Sequence, residues 1–229
     1  MMNNTAIVLA SGMGKRMGGD IPKQFALVGG KPLIYYALKA FEESDIIQNV
    51  VIATSDIAIC NSIVSEYNFT KVSKIVQGGK ERYHSVYNAL MAIEDADYVF
   101  IHDGARPNVD EFIIRSCYDA VTQYDACVAA VKSKDTIKIA DQNGFVETTP
   151  DRNSVYIIQT PQTFKFDLIK NAYQQLIDQE EDLLSKGVNI TDDAMVCELF
   201  TDKKVYLCDG EYTNIKVTTP DDLKLVITD

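Results

Sequence analysis

The chain has 229 residues, 46% of them apolar and 24% charged, which suits one sizeable folded core and excludes a disordered or fibrous protein. Its formal net charge of -11 argues against a nucleic-acid binder, which would need many Lys and Arg side chains to neutralise phosphates. No apolar run is long enough to cross a bilayer and the start MMNNTAIVLA lacks a cationic leader, so a cytoplasmic protein without a membrane partner is expected. The five cysteines (Cys60, Cys117, Cys127, Cys197, Cys208) form no CxxC pair, and with two histidines in the chain neither a disulfide framework nor a zinc site is supported. Buried free thiols are expected.

In chain order, short apolar runs read as buried strands at 5–10 (TAIVLA), 49–54 (NVVIAT), 74–77 (KIVQ), 97–103 (DYVFIHD) and 125–131 (DACVAAV). Helical periodicity separates them. In KPLIYYALKAFEES, Pro32 suits a first helical turn, and Leu33, Tyr36, Ala37, Ala40 and Phe41 form an apolar stripe. In 82–94, Val86, Leu90 and Ile93 share a face. This alternation implies βαβ units, hence a single α/β domain over 1–229 with a mostly parallel twisted sheet and helices on both faces, a Rossmann-like arrangement. After Val131 the alternation breaks. The segment DTIKIADQNGFVETTPDRNSVYIIQ offers two short strands around an Asn-Gly turn, a hairpin with too little apolar material for its own core. Residues 133–158 therefore read as a projecting β-arm whose open edges suit a second copy of the chain, giving a homodimer. A helix near 165–179, another near 192–200, a strand KVYLCD and a helix starting near Pro220 complete the chain.

The chemistry concentrates in LASGMGKRMGGDIPKQF (9–25), which follows the first strand. In an open parallel sheet ligands bind at the carboxyl ends of the strands. This loop is neither a P-loop, since Gly14-Lys15-Arg16 lacks the required order, nor a dinucleotide fingerprint, since Gly12 and Gly14 are followed by Gly18 rather than a glycine at 17. An oxidoreductase reading would have only Asp56, near the second strand, to use. Lys15, Arg16 and Lys23 crowd one loop of an acidic protein, and such a cluster with glycine-freed amides suits a triphosphate and its departing pyrophosphate. Asp103, at a strand's carboxyl end in IHDGARP, is placed to hold Mg²⁺ together with phosphate oxygens. Arg106 in the same turn suits an anionic substrate, and His102 reads as a packed strand residue.

Together with GGKERYHSV (78–86), HDGARP (102–107), VKSKDTIK (131–138), DRN (151–153), QTPQTF (159–164), ITDDA (190–194) and NIKVTTPDDL (214–223), the loop resembles the 2-C-methyl-D-erythritol 4-phosphate cytidylyltransferases, motif by motif and over nearly the whole chain. The resemblance implies an enzyme that joins CTP to a polyol phosphate with release of pyrophosphate, aided by Mg²⁺ or another divalent cation. It assigns Arg16 and Lys23, with Lys216 and Arg152, to charge stabilisation in catalysis. It assigns nucleotide binding to Ala10, Ser11, Gly12, Gly14, Lys15, Gly79 and Ser85. Polyol-phosphate binding would fall to Asp103, Arg106, Thr136, Arg152, Thr160, Thr191 and Lys216, with Thr136 and Arg152 reaching from the arm into a second subunit's site. Two positions depart from the family pattern: Ser11 stands where Ala or Gly is usual, and Lys80 replaces an acidic residue. Ribitol 5-phosphate cytidylyltransferases share the loop and the arm but tend to carry Arg-Asp-His where this chain has Asp151-Arg152-Asn153, which favours the erythritol substrate.

Overall fold

A computed structural model describes residues 2–12 and 22–227. The first strand, β1 (Asn4–Ala10), leads into a short hairpin of β2 (Leu27–Val28) and β3 (Lys31–Pro32) and then α1 (Leu33–Glu43). Next come β4 (Asn49–Thr54), α2 (Ile57–Glu66), β5 (Val72–Gln77), α3 (Arg82–Ala92), β6 (Tyr98–Asp103), α4 (Glu111–Tyr124) and β7 (Ala126–Lys132). The arm carries β8 (Ile139–Ala140) and β9 (Val146–Thr148). The chain then forms β10 (Tyr156–Lys165), α5 (Phe166–Asp178), α6 (Glu180–Ser185), α7 (Asp193–Phe200) and β11 (Tyr206–Asp209).

Seven strands form one sheet in the order β11-β7-β10-β6-β1-β4-β5. Successive side chains of a strand point to opposite faces. In β1, Ala6, Val8 and Ala10 accordingly pack with α1, α2 and α4, whereas Ile7 and Leu9 pack with α3, α5 and α7. Burial on both faces is why these strands read as unbroken apolar runs. The five strands expected from apolar runs and the strand KVYLCD are present, as are helices on both faces. Among the described residues, no helix is long and apolar enough to cross a membrane.

Three details differ from expectation. Residues 156–165 form a full strand of the main sheet, antiparallel to both β6 and β7, where the sequence suggests only the end of an arm. Pro161, which has no N–H, sits at the irregularity of that ladder between Ile158 and Gln162, and polar Gln159, Thr160, Gln162 and Thr163 are buried, so the segment lacks a strand's usual signature. Tyr156, Ile157 and Ile158 pair with Lys132, Val131 and Ala130, so the projecting arm is shorter than 133–158 and its base belongs to the sheet. The helix expected to start near Pro220 is a 3-10 helix, Pro220–Leu225.

The arm itself forms around its Asn-Gly turn as the sequence requires. Gly144 adopts φ 86°, a left-handed conformation that glycine takes without a Cβ clash, and Asp141 Oδ1 accepts the N–H groups of Asn143 and Phe145 at 2.9 Å each. Phe145 is 73% and Val146 60% exposed.

Candidate active site

The sheet brings the ends of β1, β5 and β6 together at their carboxyl edge. A cavity of about 530 Å³ opens there, lined by Ser11, Gly12, Lys23, Gly79, Arg82, Asp103 and Lys216 among others. Gly104 follows β6 because the chain turns against β1: a Cβ at this position would lie 2.8 Å from the Leu9 carbonyl oxygen. On the other flank a Cβ on Gly78 would meet Ser11 Cβ at 2.3 Å, so this glycine is what lets the GGKER turn approach the end of β1.

Asp103 is the hub. Its Oδ1 accepts from Arg82 Nε at 3.2 Å, its Oδ2 pairs with Lys216 Nζ at 2.7 Å, and its backbone N–H donates to Thr160 Oγ1 at 3.1 Å. Burial alone would push this carboxyl up, but Arg82 and Lys216, with Arg106 adding less, overcome it and hold the group well below the ordinary carboxylate range. It is a fixed anion.

Arg82 begins α3 and ties two carboxylates together. Besides Asp103 it holds Asp193 in a bidentate pair, Nη1 to Oδ1 at 2.8 Å and Nη2 to Oδ2 at 2.7 Å, and the Tyr173 hydroxyl donates to the same Oδ1 at 2.5 Å. Asp193 is fully buried at the start of α7, while its neighbour Asp192 caps that helix by accepting from Met195 N at 3.0 Å. Burial lowers the Arg82 pKa, but the charges of Asp193 and Asp103 more than compensate, so its guanidinium is held firmly protonated.

Behind the wall formed by Ser11, Gly12 and Gly79 stand hydroxyls and backbone groups. Ser11 Oγ and Ser85 Oγ are 2.7 Å apart, and Ser85 Oγ also accepts from Gly79 N at 3.0 Å. Ser85, in the first turns of α3, is 1% exposed. The Ala10 carbonyl accepts from Gln24 Nε2 at 2.6 Å, and Lys23 Nζ donates to the Val217 carbonyl at 2.9 Å, which anchors the re-entering loop to the segment carrying Lys216. Gly14, Lys15 and Arg16 lie outside the described residues.

The remaining expected residues fall into three settings. Thr160 is buried behind Asp103, with Oγ1 also 3.1 Å from His102 Nδ1, and so positions that carboxylate. Arg106 does not line the cavity: its Nη1 donates to the Asn214 carbonyl at 2.7 Å and its Nη2 to the Ile158 carbonyl at 3.3 Å, bracing the Lys216 segment against β10. Thr191 is exposed next to the Asp192 cap and donates to Met195 Sδ at 3.6 Å. Thr136 and Arg152 are exposed on the arm, outside the lining of this chain's own cavity. His102 is a packed strand residue: burial pushes its pKa down to about 4, and its Nε2 meets the Arg106 carbonyl at 3.0 Å. Asp56 caps α2, accepting from Ile59 N at 2.9 Å, which leaves nothing for a dinucleotide reading.

Arg82, Asp193 and Tyr173 were not among the expected site residues. Arg82 and Asp193 lie within the motifs GGKER and ITDDA, but 111 positions separate them, and no spacing rule pairs residues at that distance.

A single cavity thus offers amides and hydroxyls at one end and cations around a fixed carboxylate at the other, which suits a nucleotide beside a second phosphate. The model of the 2-C-methyl-D-erythritol 4-phosphate cytidylyltransferase family matches residues 4–227. A protein of that name from Lachnospira eligens is 48% identical over 97% of this chain and 96% of its own length, and one from Clostridium botulinum is 44% identical over 98% and 96%. The crystal structure of 4-diphosphocytidyl-2C-methyl-D-erythritol synthase from Anaerococcus prevotii superposes with a TM-score of 0.82 at 31% identity, covering 98% of this chain and 96% of that one. The Francisella tularensis 2-C-methyl-D-erythritol 4-phosphate cytidylyltransferase gives 0.76 at 31% identity, over 97% of each. The chain belongs to the 2-C-methyl-D-erythritol 4-phosphate cytidylyltransferase family.

Proposed function

We propose that the protein joins CTP to 2-C-methyl-D-erythritol 4-phosphate, giving 4-diphosphocytidyl-2-C-methyl-D-erythritol and pyrophosphate. The observation that carries this reading is the convergence of Ser11, Gly79, Lys23, Asp103 and Lys216 on one cavity in a chain of this family. An oxygen of the acceptor phosphate attacks the α-phosphorus of CTP, the new P–O bond forms, and the bond from the α-phosphorus to the pyrophosphate oxygen breaks. The attacking group is already an anion near neutral pH, so no strong general base is needed, and the buried neutral His102 is not asked to be one. Lys23 and Lys216 supply positive charge where it accumulates on the transferring and leaving phosphates, and Arg16 of the glycine-rich loop joins them. Asp103 keeps the Lys216 ammonium at the cavity wall.

Ser85, ordered by Gly79 N–H and Ser11, presents a fixed hydroxyl to the cytosine edge, and Ala10 and Gly12 contribute backbone. Gly14 and Lys15 complete the triphosphate loop. Both oxygens of Asp103 already face cations, so the donor set fits a divalent ion that arrives on the triphosphate with phosphate and water ligands. Such an ion would add Asp103 only in exchange for Lys216, and when bound it would neutralise triphosphate charge.

The apolar side chains exposed on the arm support a homodimer in which Thr136 and Arg152 complete the partner's polyol-phosphate subsite, with Arg106, Thr160 and Thr191 ordering the walls of the home cavity. The cytoplasm, where CTP is made, is the compartment this reading requires.

The test is pyrophosphate release with CTP and Mg²⁺, comparing 2-C-methyl-D-erythritol 4-phosphate, D-ribitol 5-phosphate and no acceptor. Release dependent on the erythritol compound is expected. A preference for ribitol phosphate, or no release with either, would overturn the assignment.

A further inference from the structure

Away from this cavity the fold assembles a second cluster that no spacing in the sequence announces. Cys117 of α4, Cys127 of β7 and Cys208 of β11 place their sulfur atoms within 4.8 Å of one another, with Cys117 and Cys208 at 3.5 Å. All three are buried and none forms a disulfide. A fourth donor stands beside them. Thr163 lies directly across the β7–β10 ladder from Cys127, so both side chains leave the same face of the sheet, and it neighbours Cys117. Its hydroxyl is fully buried and lies within reach of the Cys117 thiol, without a geometrically well-formed hydrogen bond of its own.

The spacing matches a metal's demands. Zinc–thiolate bonds of about 2.3 Å at tetrahedral angles put sulfurs about 3.8 Å apart, a little beyond the 3.5 Å between Cys117 and Cys208 and inside the 4.8 Å that bounds the cluster. Cys208, 5% exposed, borders a groove between α4 and β11, about 420 Å³ in volume, whose walls include Ser116, Asp119, Tyr124 and Tyr206, so the cluster reaches toward the surface at this one residue. None of the groove's residues lines the catalytic cavity.

We propose that Cys117, Cys127 and Cys208, with the Thr163 hydroxyl as fourth donor, bind one thiophilic d10 cation of the Zn²⁺ type. Binding forms three metal–sulfur bonds and one metal–oxygen bond, and each thiol that enters as thiolate releases its proton to solvent; no electron changes hands. The cation ties α4, β7 and β11 together at the edge of the sheet, and Thr163 Oγ1 gains a well-placed partner.

Anaerobic titration of the reduced full-length protein with Cd²⁺ tests this through the ultraviolet thiolate-to-cadmium charge-transfer band. The band should saturate at one equivalent with release of protons, and X-ray absorption of the one-equivalent complex should count three sulfur neighbours. Cys208→Ala should abolish tight binding, whereas Cys60→Ala, which alters a buried thiol on α2, should leave it unchanged. Absence of the band, two or fewer sulfur neighbours, or equal binding by Cys208→Ala would each overturn the site and leave three thiols that only pack the core. If Cys208→Ala does not fold, the sulfur count on the unaltered protein decides the question.

Discussion

Replacing Arg82 with Met tests whether one guanidinium organises the site. The Asp193 carboxylate is fully buried and takes two of its three hydrogen bonds from Arg82, leaving only the Tyr173 hydroxyl after the substitution. Removing one partner of a buried ion pair costs about 3–5 kcal/mol, chiefly because the remaining charge is stranded. The Arg82 side chain is 28% exposed, so water can reach part of the gap, and the lower end, about 3 kcal/mol, is expected. In a domain of this size that corresponds to a fall in Tm of roughly 6–12 °C. Urea unfolding followed by circular dichroism at neutral pH would measure it, with an unchanged m-value required for the comparison. Adding Asp193→Asn to Arg82→Met removes the stranded charge and should restore a substantial part of the loss. A loss below about 1 kcal/mol, the range of exposed pairs, or no recovery in the double variant, would refute the reasoning.

Lys23→Ala should lower kcat about 10²–10³-fold, since the lost group acts on developing charge, while lowering the unfolding midpoint by only the few degrees that its hydrogen bond to the Val217 carbonyl is worth; near-normal turnover would remove its role. Arg152→Ala and Lys23→Ala subunits, each inactive alone, should give a mixed dimer with one fully intact site and about half the wild-type activity per dimer if arm and cavity come from different subunits; a verified heterodimer without activity would exclude that arrangement. His102 is held neutral with a pKa of about 4 against an ordinary value of 6.5. Between those pH values the unfolded chain takes up a proton that the folded one does not, so stability rises with pH through this window, by about 3 kcal/mol in all. His102→Gln should flatten that part of the stability–pH curve, and an unchanged slope would show that His102 is protonated in the fold. Asp103 acts at more acid pH: its depressed pKa contributes stability that is complete above the ordinary carboxylate range and lost as pH falls below it, and Asp103→Asn should remove that acid-side loss from unfolding curves measured between pH 2 and 5.

Much of the frame is legible from residue order because the parallel strands are buried on both faces and therefore stand out as apolar runs. The strand β10 is not, since every core position before Phe164 is Gln, Thr or Pro. Burial there is tolerated only through long-range partners, such as Gln162 Nε2 donating to Asp192 Oδ2 at 3.0 Å and Ala194 N donating to Gln162 Oε1 at 2.9 Å. The site shows the same division. Lys23, Gly79, Asp103 and Lys216 can be found because each lies in a loop at a strand's carboxyl end or in a motif with a chemical reason for its residue type. The position of Arg106 cannot, because whether a guanidinium faces solvent, substrate or carbonyls depends on where residues 158 and 214 fold. Likewise the three clustered cysteines come from α4, β7 and β11, and only the pairing of β11 beside β7 brings Cys208 to the other two.

The measurement that bears most directly on where the reaction takes place is amide hydrogen exchange with and without CTP and Mg²⁺. The account predicts slowed exchange at Ser11, Gly12 and residues 78–85, with further slowing around Asp103 and Lys216 when the acceptor phosphate is added. Protection confined to another face, such as the groove between α4 and β11, with these segments unchanged, would contradict it.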